Sequence, residues 1–266
     1  MLLVSYPHCT VAFKVVTDSD KLKQYINLFY YKMSIFNFSK IYTIEYYLGL
    51  ENKSLFRTLD FFKYDVSEEE AIYLSNKFIR ENLELEDDWN IYHGSTIKIK
   101  DKNYLLLGQT GTGKTTLSAY LKLKKHAEII SEDISIINCK TKEVVTNRQP
   151  LMLRKHSYDI LNSEYSCDIS GGVIKFNGKY VLEYSYDTFN TEKNYLDVAI
   201  LLNRNENKCT IDRIYSEKEY ILNSFLHVDI VKNIRYSVLL YERLNLFEMT
   251  YMDLDEAYKL LLDVEM

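Results

Sequence analysis

Residues 108–115 read Gly108-Gln109-Thr110-Gly111-Thr112-Gly113-Lys114-Thr115. This is the pattern of a phosphate-binding loop, a glycine, four variable residues, then Gly-Lys followed by Ser or Thr. Each residue type has a task. The glycines let the loop bend so that successive backbone N–H groups face inward onto phosphate oxygens. The helix that follows adds the positive end of its dipole. Lys114 brings a full charge to the β- and γ-phosphates, and the Thr115 hydroxyl is a ligand for a Mg²⁺ ion bridging them. Thr116 completes the stretch expected to bind the nucleotide, residues 108–116. Chance would produce such a run in about one chain in a hundred of this length at average glycine usage. Glycine is scarcer than average here, with 8 in 266 residues, and three of them fall within 108–113.

A second group stands about twenty residues on. Ile129-Ile130-Ser131-Glu132-Asp133 is an apolar strand ending in two acids. Opposite a phosphate loop, one acid can hold the metal and the other can orient or deprotonate an attacking hydroxyl. Asp133 is the expected metal ligand beside Thr115, with the division of roles between Glu132 and Asp133 left open. His93, Arg148 and Arg154 are further candidates. The two arginines suit a phosphate or an acidic peptide end.

These groups must be carried by definite elements. Tyr104–Leu107 reads as a short apolar strand running into the glycines, and Thr115–Lys125 as the helix after them. Glu128–Ser131 reads as a buried strand, and Asn90–Lys100 alternates as one continuous strand. Ile134–Asn138 and Glu143–Thr146 suggest a hairpin pair. Asn177-Gly178 between Val173–Phe176 and Tyr180–Tyr184 is a stronger hairpin signal. Leu196–Leu202 reads as a buried strand. The last forty residues read as helical, with a capping box at Ser216–Glu219. Upstream, Thr10–Val16 and Ile41–Tyr47 look like strands and Lys21–Tyr31 like a helix. Ser67-Glu68-Glu69-Glu70 is a capping box opening a helix that ends near Leu83. The acidic run Glu84–Asp88 is the best boundary. The expectation is a small α+β domain over residues 1–85, available for recognising a substrate or partner, and an α/β domain over 86–266.

Composition narrows the class. Apolar residues make up 47% and charged residues 27%, which suits a globular chain. The net charge of -5 argues against nucleic acid as the main partner. No run reaches the roughly 18–20 apolar residues of a membrane span, and no basic stretch precedes Met1–Val4, so neither membrane nor signal peptide is expected. Cys9, Cys139, Cys167 and Cys209 are widely spaced with no CxxC pair. That pattern suits reduced thiols in a cytoplasmic protein and no zinc site.

From residue 92 the motifs fall in a familiar order. Tyr92-His93-Gly94-Ser95 comes first, then the phosphate loop, then Ser131-Glu132-Asp133, then Pro150-Leu151-Met152-Leu153-Arg154. Over roughly residues 88–225 this resembles the HPr kinase/phosphorylase family and its relatives, including kinases that tailor lasso-peptide precursors. The resemblance implies the P-loop kinase core shared with bacterial phosphoenolpyruvate carboxykinases, ATP with Mg²⁺ as cofactors, and a serine hydroxyl of a peptide or small protein as acceptor. It implies a base within Glu132-Asp133 and places His93 near the transferring phosphate. It also allows a homo-oligomer. The first acid is Glu132 where the family has Asp. The family's glycine-rich segment with an arginine is matched only by Ser170-Gly171-Gly172-Val173-Ile174, which lacks the arginine. Dephosphorylation of HPr is therefore not expected. Two other readings stand beside the kinase. A P-loop NTPase switch would use hydrolysis for movement, although no Asn-Lys-x-Asp guanine motif occurs. A kinase for a small-molecule hydroxyl would share the same core.

Overall fold

The computed structural model describes the chain except residues 30, 33–37, 49–53, 60, 147–149, 170–172, 177, 183–192, 205–207, 216–229 and 265–266. It is a mixed α/β protein whose internal packing divides into Met1–Asp87 and Asp88–Met266.

Among the described residues, the first unit is one six-stranded sheet with two helices. Its elements are β1 (Leu2–Ser5), β2 (Val11–Thr17), α1 (Asp20–Phe29), β3 (Tyr31–Lys32), β4 (Lys40–Tyr47), β5 (Leu55–Arg57), β6 (Phe62–Tyr64) and α2 (Glu68–Glu81). The strand order is β3-β1-β2-β4-β5-β6. Period-two alternation explains β4, where Tyr42, Ile44 and Tyr46 are buried and their neighbours are not, and the second half of β2, where Phe13, Val15 and Thr17 are buried and Lys14 and Val16 only partly so. The Ser67 hydroxyl caps α2 by accepting from the Glu70 N–H at 3.2 Å. The Glu70 carboxylate turns instead to Lys63.

The second unit contains β7 (Trp89–Tyr92), β8 (Ser95–Ile99), β9 (Lys102–Leu107), α3 (Lys114–Lys125), β10 (Glu128–Ser131), β11 (Ser135–Asn138) and β12 (Glu143–Val144). After these come β13 (Leu151–Arg154), α4 (Lys155–Ser163), β14 (Val173–Phe176), β15 (Lys179–Leu182), β16 (Asn194–Tyr195), β17 (Val198–Arg204), β18 (Thr210–Arg213), α5 (Ile230–Tyr241), β19 (Asn245–Tyr251) and α6 (Leu254–Leu262). The main sheet has the order β10-β8-β9-β17-β19-β18. β9, β17 and β19 are mutually parallel, and strands buried on both faces read as unbroken apolar runs. Tyr104, Leu106, Ile200, Leu202 and Met249 pack on Leu117, Tyr120 and Leu121 of α3 and on Leu254, Ala257 and Leu261 of α6. Leu105, Leu107, Ala199 and Leu201 face the other way, onto Ile137, Val144 and Leu240. The second face is thus covered by α5 and by the four-stranded sheet β16-β12-β11-β7.

Two expectations needed correction. Residues 90–100 are two strands, β7 and β8, interrupted at His93-Gly94. A Cβ on Gly94 would stand 2.6 Å from the Leu106 carbonyl oxygen, so the chain turns there against β9 itself. The C-terminal forty residues are not all helical, because β19 runs through them between β17 and β18. Leu, Phe, Glu and Met in Asn245–Tyr251 suit a helix locally, and burial between two strands overrides that preference. The hairpin of β14 and β15 is present with Phe176 opposite Lys179 and Gly178 at φ 71°. Asn177, the Ser170–Gly172 segment and the Ser216–Glu219 capping box lie outside the described residues. No described helix is long and apolar enough to cross a membrane.

Candidate active site

The parallel strands end at one edge of the main sheet, and the candidate groups gather there. β9 delivers the glycine loop. β10 runs in the same direction as β9, because each is antiparallel to β8 between them. Its end therefore brings Glu132 and Asp133 to the same edge, where His93 and Gly94 lead into β8. Open α/β sheets bind ligands outside the carboxyl ends of their strands.

The loop closes on itself. The Thr112 hydroxyl donates to the Gln109 carbonyl at 2.9 Å, and the Thr112 N–H reaches the same oxygen at 3.3 Å. Gly113 is the residue before α3, at φ 93°, and supplies no side-chain cap. The first N–H groups of α3 are left for an external acceptor, which suits an anion. A Cβ at Gly113 would also stand 2.5 Å from the Tyr251 hydroxyl oxygen. That hydroxyl donates to the Thr112 carbonyl at 2.9 Å. Lys114 is buried and folds back over the loop, its Nζ donating to the Gly108 carbonyl at 2.6 Å and the Gln109 carbonyl at 3.2 Å. Desolvation lowers its pKa, and the charges of Asp133 and Glu132 raise it. The ammonium thus sits among oxygen acceptors whose place phosphate oxygens can take. Gln109, Thr110 and Gly111 are exposed. Thr116 is engaged elsewhere, its hydroxyl donating to Ser157 of α4 at 2.8 Å.

The acids are aimed by two backbone irregularities. The β10–β8 register shifts between Ile129 and Ser131, a bulge of the kind that re-aims side chains beside functional sites. Next, the Ile134 N–H bonds the Glu132 carbonyl at 2.6 Å, with Asp133 between them at φ 61°. A tight γ-turn with positive φ is rare and strained. Buried hydroxyls hold it. Ser135 Oγ donates to the Gly94 carbonyl at 3.1 Å and lies 2.6 Å from Ser131 Oγ and 2.9 Å from Thr96 Oγ1.

The turn sends its two carboxyls to different places. Glu132 is 2% exposed. Ser95 Oγ donates to its Oε2 at 2.5 Å, while Oε1 is buried without a hydrogen-bond partner. Burial pushes its pKa up to about 7, and the Ser95, Thr115 and Ser118 hydroxyls around it pull the other way. Ser118 Oγ is likewise buried without a hydrogen-bond partner. Asp133 is partly exposed and lies 3.4 Å from His93 Nδ1. His93, Lys114, Thr115, Glu132 and Asp133 therefore share one site, with Glu132 the acid beside Thr115. Arg154 is exposed at the start of α4, which Ser157 ties to the first turn of α3. Arg148 lies outside the described residues.

Sequence reading gave no role to Ser95, Ser118 or Tyr251. Ser118 stands three residues past Thr115 on the same helix face, a spacing that could have marked it. Tyr251 is 139 positions from Thr112 and carries no local signal.

The residues fit Mg²⁺ in part. The unpartnered Glu132 Oε1 and the Thr115 hydroxyl are hard oxygen donors of the type Mg²⁺ takes. Among the described residues no cluster of three or more His, Cys, Asp or Glu could hold a metal unaided. A Mg²⁺ sharing its ligands between one or two protein oxygens, water and substrate phosphates matches that donor set.

No protein-family model matches the chain, and no curated protein matches it. Among solved structures it is similar to the HPr(Ser) kinase/phosphatase from Coxiella burnetii, at 10% identity and a TM-score of 0.32, over 66% of this chain and 99% of that one.

Proposed function

We propose that residues 88–266 form a P-loop kinase core of the HPr kinase/phosphoenolpyruvate carboxykinase type, which uses ATP and Mg²⁺ to phosphorylate a serine hydroxyl of a peptide or small protein. One observation carries this reading: Glu132 is buried with a free carboxyl oxygen beside Thr115, while its neighbour Asp133 turns out to His93. The order of His93, glycine loop and acid pair along the sequence supports the acceptor class.

Glycine loop and Lys114 hold the β- and γ-phosphates. Thr115 and Glu132 would hold the metal, in place of the Asp133 expected from the sequence, because Glu132 is the acid beside Thr115 while Asp133 turns to His93; Asp133 is left as the base. A bound Mg²⁺ supplies neutralisation of phosphate charge. Asp133, oriented by His93, takes the proton of the acceptor hydroxyl. The acceptor oxygen bonds to the γ-phosphorus as the bond from that phosphorus to the β–γ bridging oxygen breaks, and ADP leaves. Positioning and charge do most of the work in such a transfer. The four free thiols fit a reducing, cytoplasmic setting.

The test is transfer from γ-labelled ATP with Mg²⁺ to HPr and to serine peptides encoded beside the gene. Label should appear on serine and vanish in Lys114→Ala. ATP hydrolysis with no labelled peptide or protein would overturn the acceptor class and favour a switch or a small-molecule hydroxyl.

A further inference from the structure

We propose that Arg204 binds the terminal phosphate of the nucleotide, and that Tyr251 holds the glycine loop in place beside it. This rests on the nucleotide-binding reading above and names a residue of that site outside the motifs. β17 is parallel to β9 with Leu201 opposite Leu107, so the last three residues of β17 continue past the end of β9 on the edge where the loop begins. The loop lies directly against them, since a Cβ on Gly108 would be 2.8 Å from the Leu202 carbonyl oxygen. Strand alternation puts Arg204 on the same face as Ile200 and Leu202. That is the face packed on α3. In the parallel register Arg204 pairs with Tyr251, whose hydroxyl donates to the Thr112 carbonyl.

Burial raises the Tyr251 phenol to about 12, and the Arg204 charge acts against that rise, which agrees with a guanidinium near the loop. Arg204 itself is exposed, so its charge is open to a ligand arriving from solvent. The strand order puts Glu132 and Asp133, beyond β8, on one flank of the loop and Arg204 on the other. Loop backbone wraps the inner phosphates. A planar guanidinium on the flank can take two oxygens of the outer one.

Fluorescently labelled ATP and ADP, each with Mg²⁺, would be titrated into the full chain and its Arg204→Ala, Arg204→Lys and Tyr251→Phe variants. Arg204→Ala should weaken ATP roughly tenfold, as expected for loss of a charge-assisted contact. ADP should be unchanged, which also shows the variant is folded. Arg204→Lys should fall between. Tyr251→Phe should weaken both nucleotides and leave their ratio alone. An Arg204→Ala variant with an unaltered ATP-to-ADP ratio would overturn the assignment while leaving the loop reading intact. Wild-type protein binding neither nucleotide would overturn both.

Discussion

Burial of Glu132 gives the metal-free protein a pH dependence of definite sign. Its carboxyl pKa rises from the ordinary value near 4.5 to about 7 because the charged form loses its water. The folded state therefore holds this proton more tightly than the unfolded chain. The stabilisation is complete below pH about 4.5 and is lost as pH rises through about 7. A shift of that size corresponds to about 3 kcal/mol. Glu132→Gln keeps the shape and removes the titration. Its thermal midpoint should fall less between pH 5 and pH 8 than that of the parent, both measured with a chelator present. Equal falls would mean that this carboxyl is hydrated. The same variant should lose Mg²⁺-dependent nucleotide binding, because an amide offers the metal one neutral oxygen.

At the scale of elements, the site depends on two chains that break together. β7 passes to β8 at His93-Gly94, and β10 passes to β11 at Glu132-Asp133-Ile134, with Ser135 opposite Tyr92 and Ser131 opposite Thr96 on either side. Gly94 permits the first break, so Gly94→Ala should destabilise by roughly 1–3 kcal/mol, the usual penalty of overpacking. Chemical denaturation would measure this, and a change under about 0.5 kcal/mol, the ordinary range for surface substitutions, would show that the turn relaxes freely. The first break was not legible in the sequence, since Asn90–Lys100 carries enough β-branched residues to read as one strand; the second was, because the apolar run Glu128–Ser131 stops at two acids before Ile134–Asn138 begins. The strand and helix around the glycines were legible because Tyr104–Leu107 is apolar throughout and the glycines punctuate it. β19 was not, because its placement between β17 and β18 is a long-range fact. Tyr251 on that strand was hidden for the same reason.

The chain as a whole packs as two units, and the division between them in sequence falls within the acidic run Glu84–Asp88. Each has its own buried core: Phe13, Ile44 and Ile79 in the first, Leu106, Leu117 and Ile200 in the second. Every group assigned to nucleotide chemistry lies in the second. A fragment of residues 88–266 is therefore expected to bind nucleotide within about threefold of the full chain, since a self-contained core can fold alone. Calorimetry on both would decide it. If the first unit recognises the acceptor, the fragment should retain ATP binding and lose transfer to peptide. A fragment that folds yet binds no nucleotide would refute the assignment of the site to one unit.

The turn at Asp133 makes it possible to separate fold from chemistry by selection. Its positive φ disfavours most L-residues and tolerates chiefly Gly, Asn and Asp. In a library randomised at this codon and sorted only for soluble expression, Asn, Gly and Asp should survive while Val and Ile disappear. Sorted for phosphotransfer, the same library should retain Asp alone. The residues present in the first list and missing from the second would be tolerated by the backbone and rejected by the reaction.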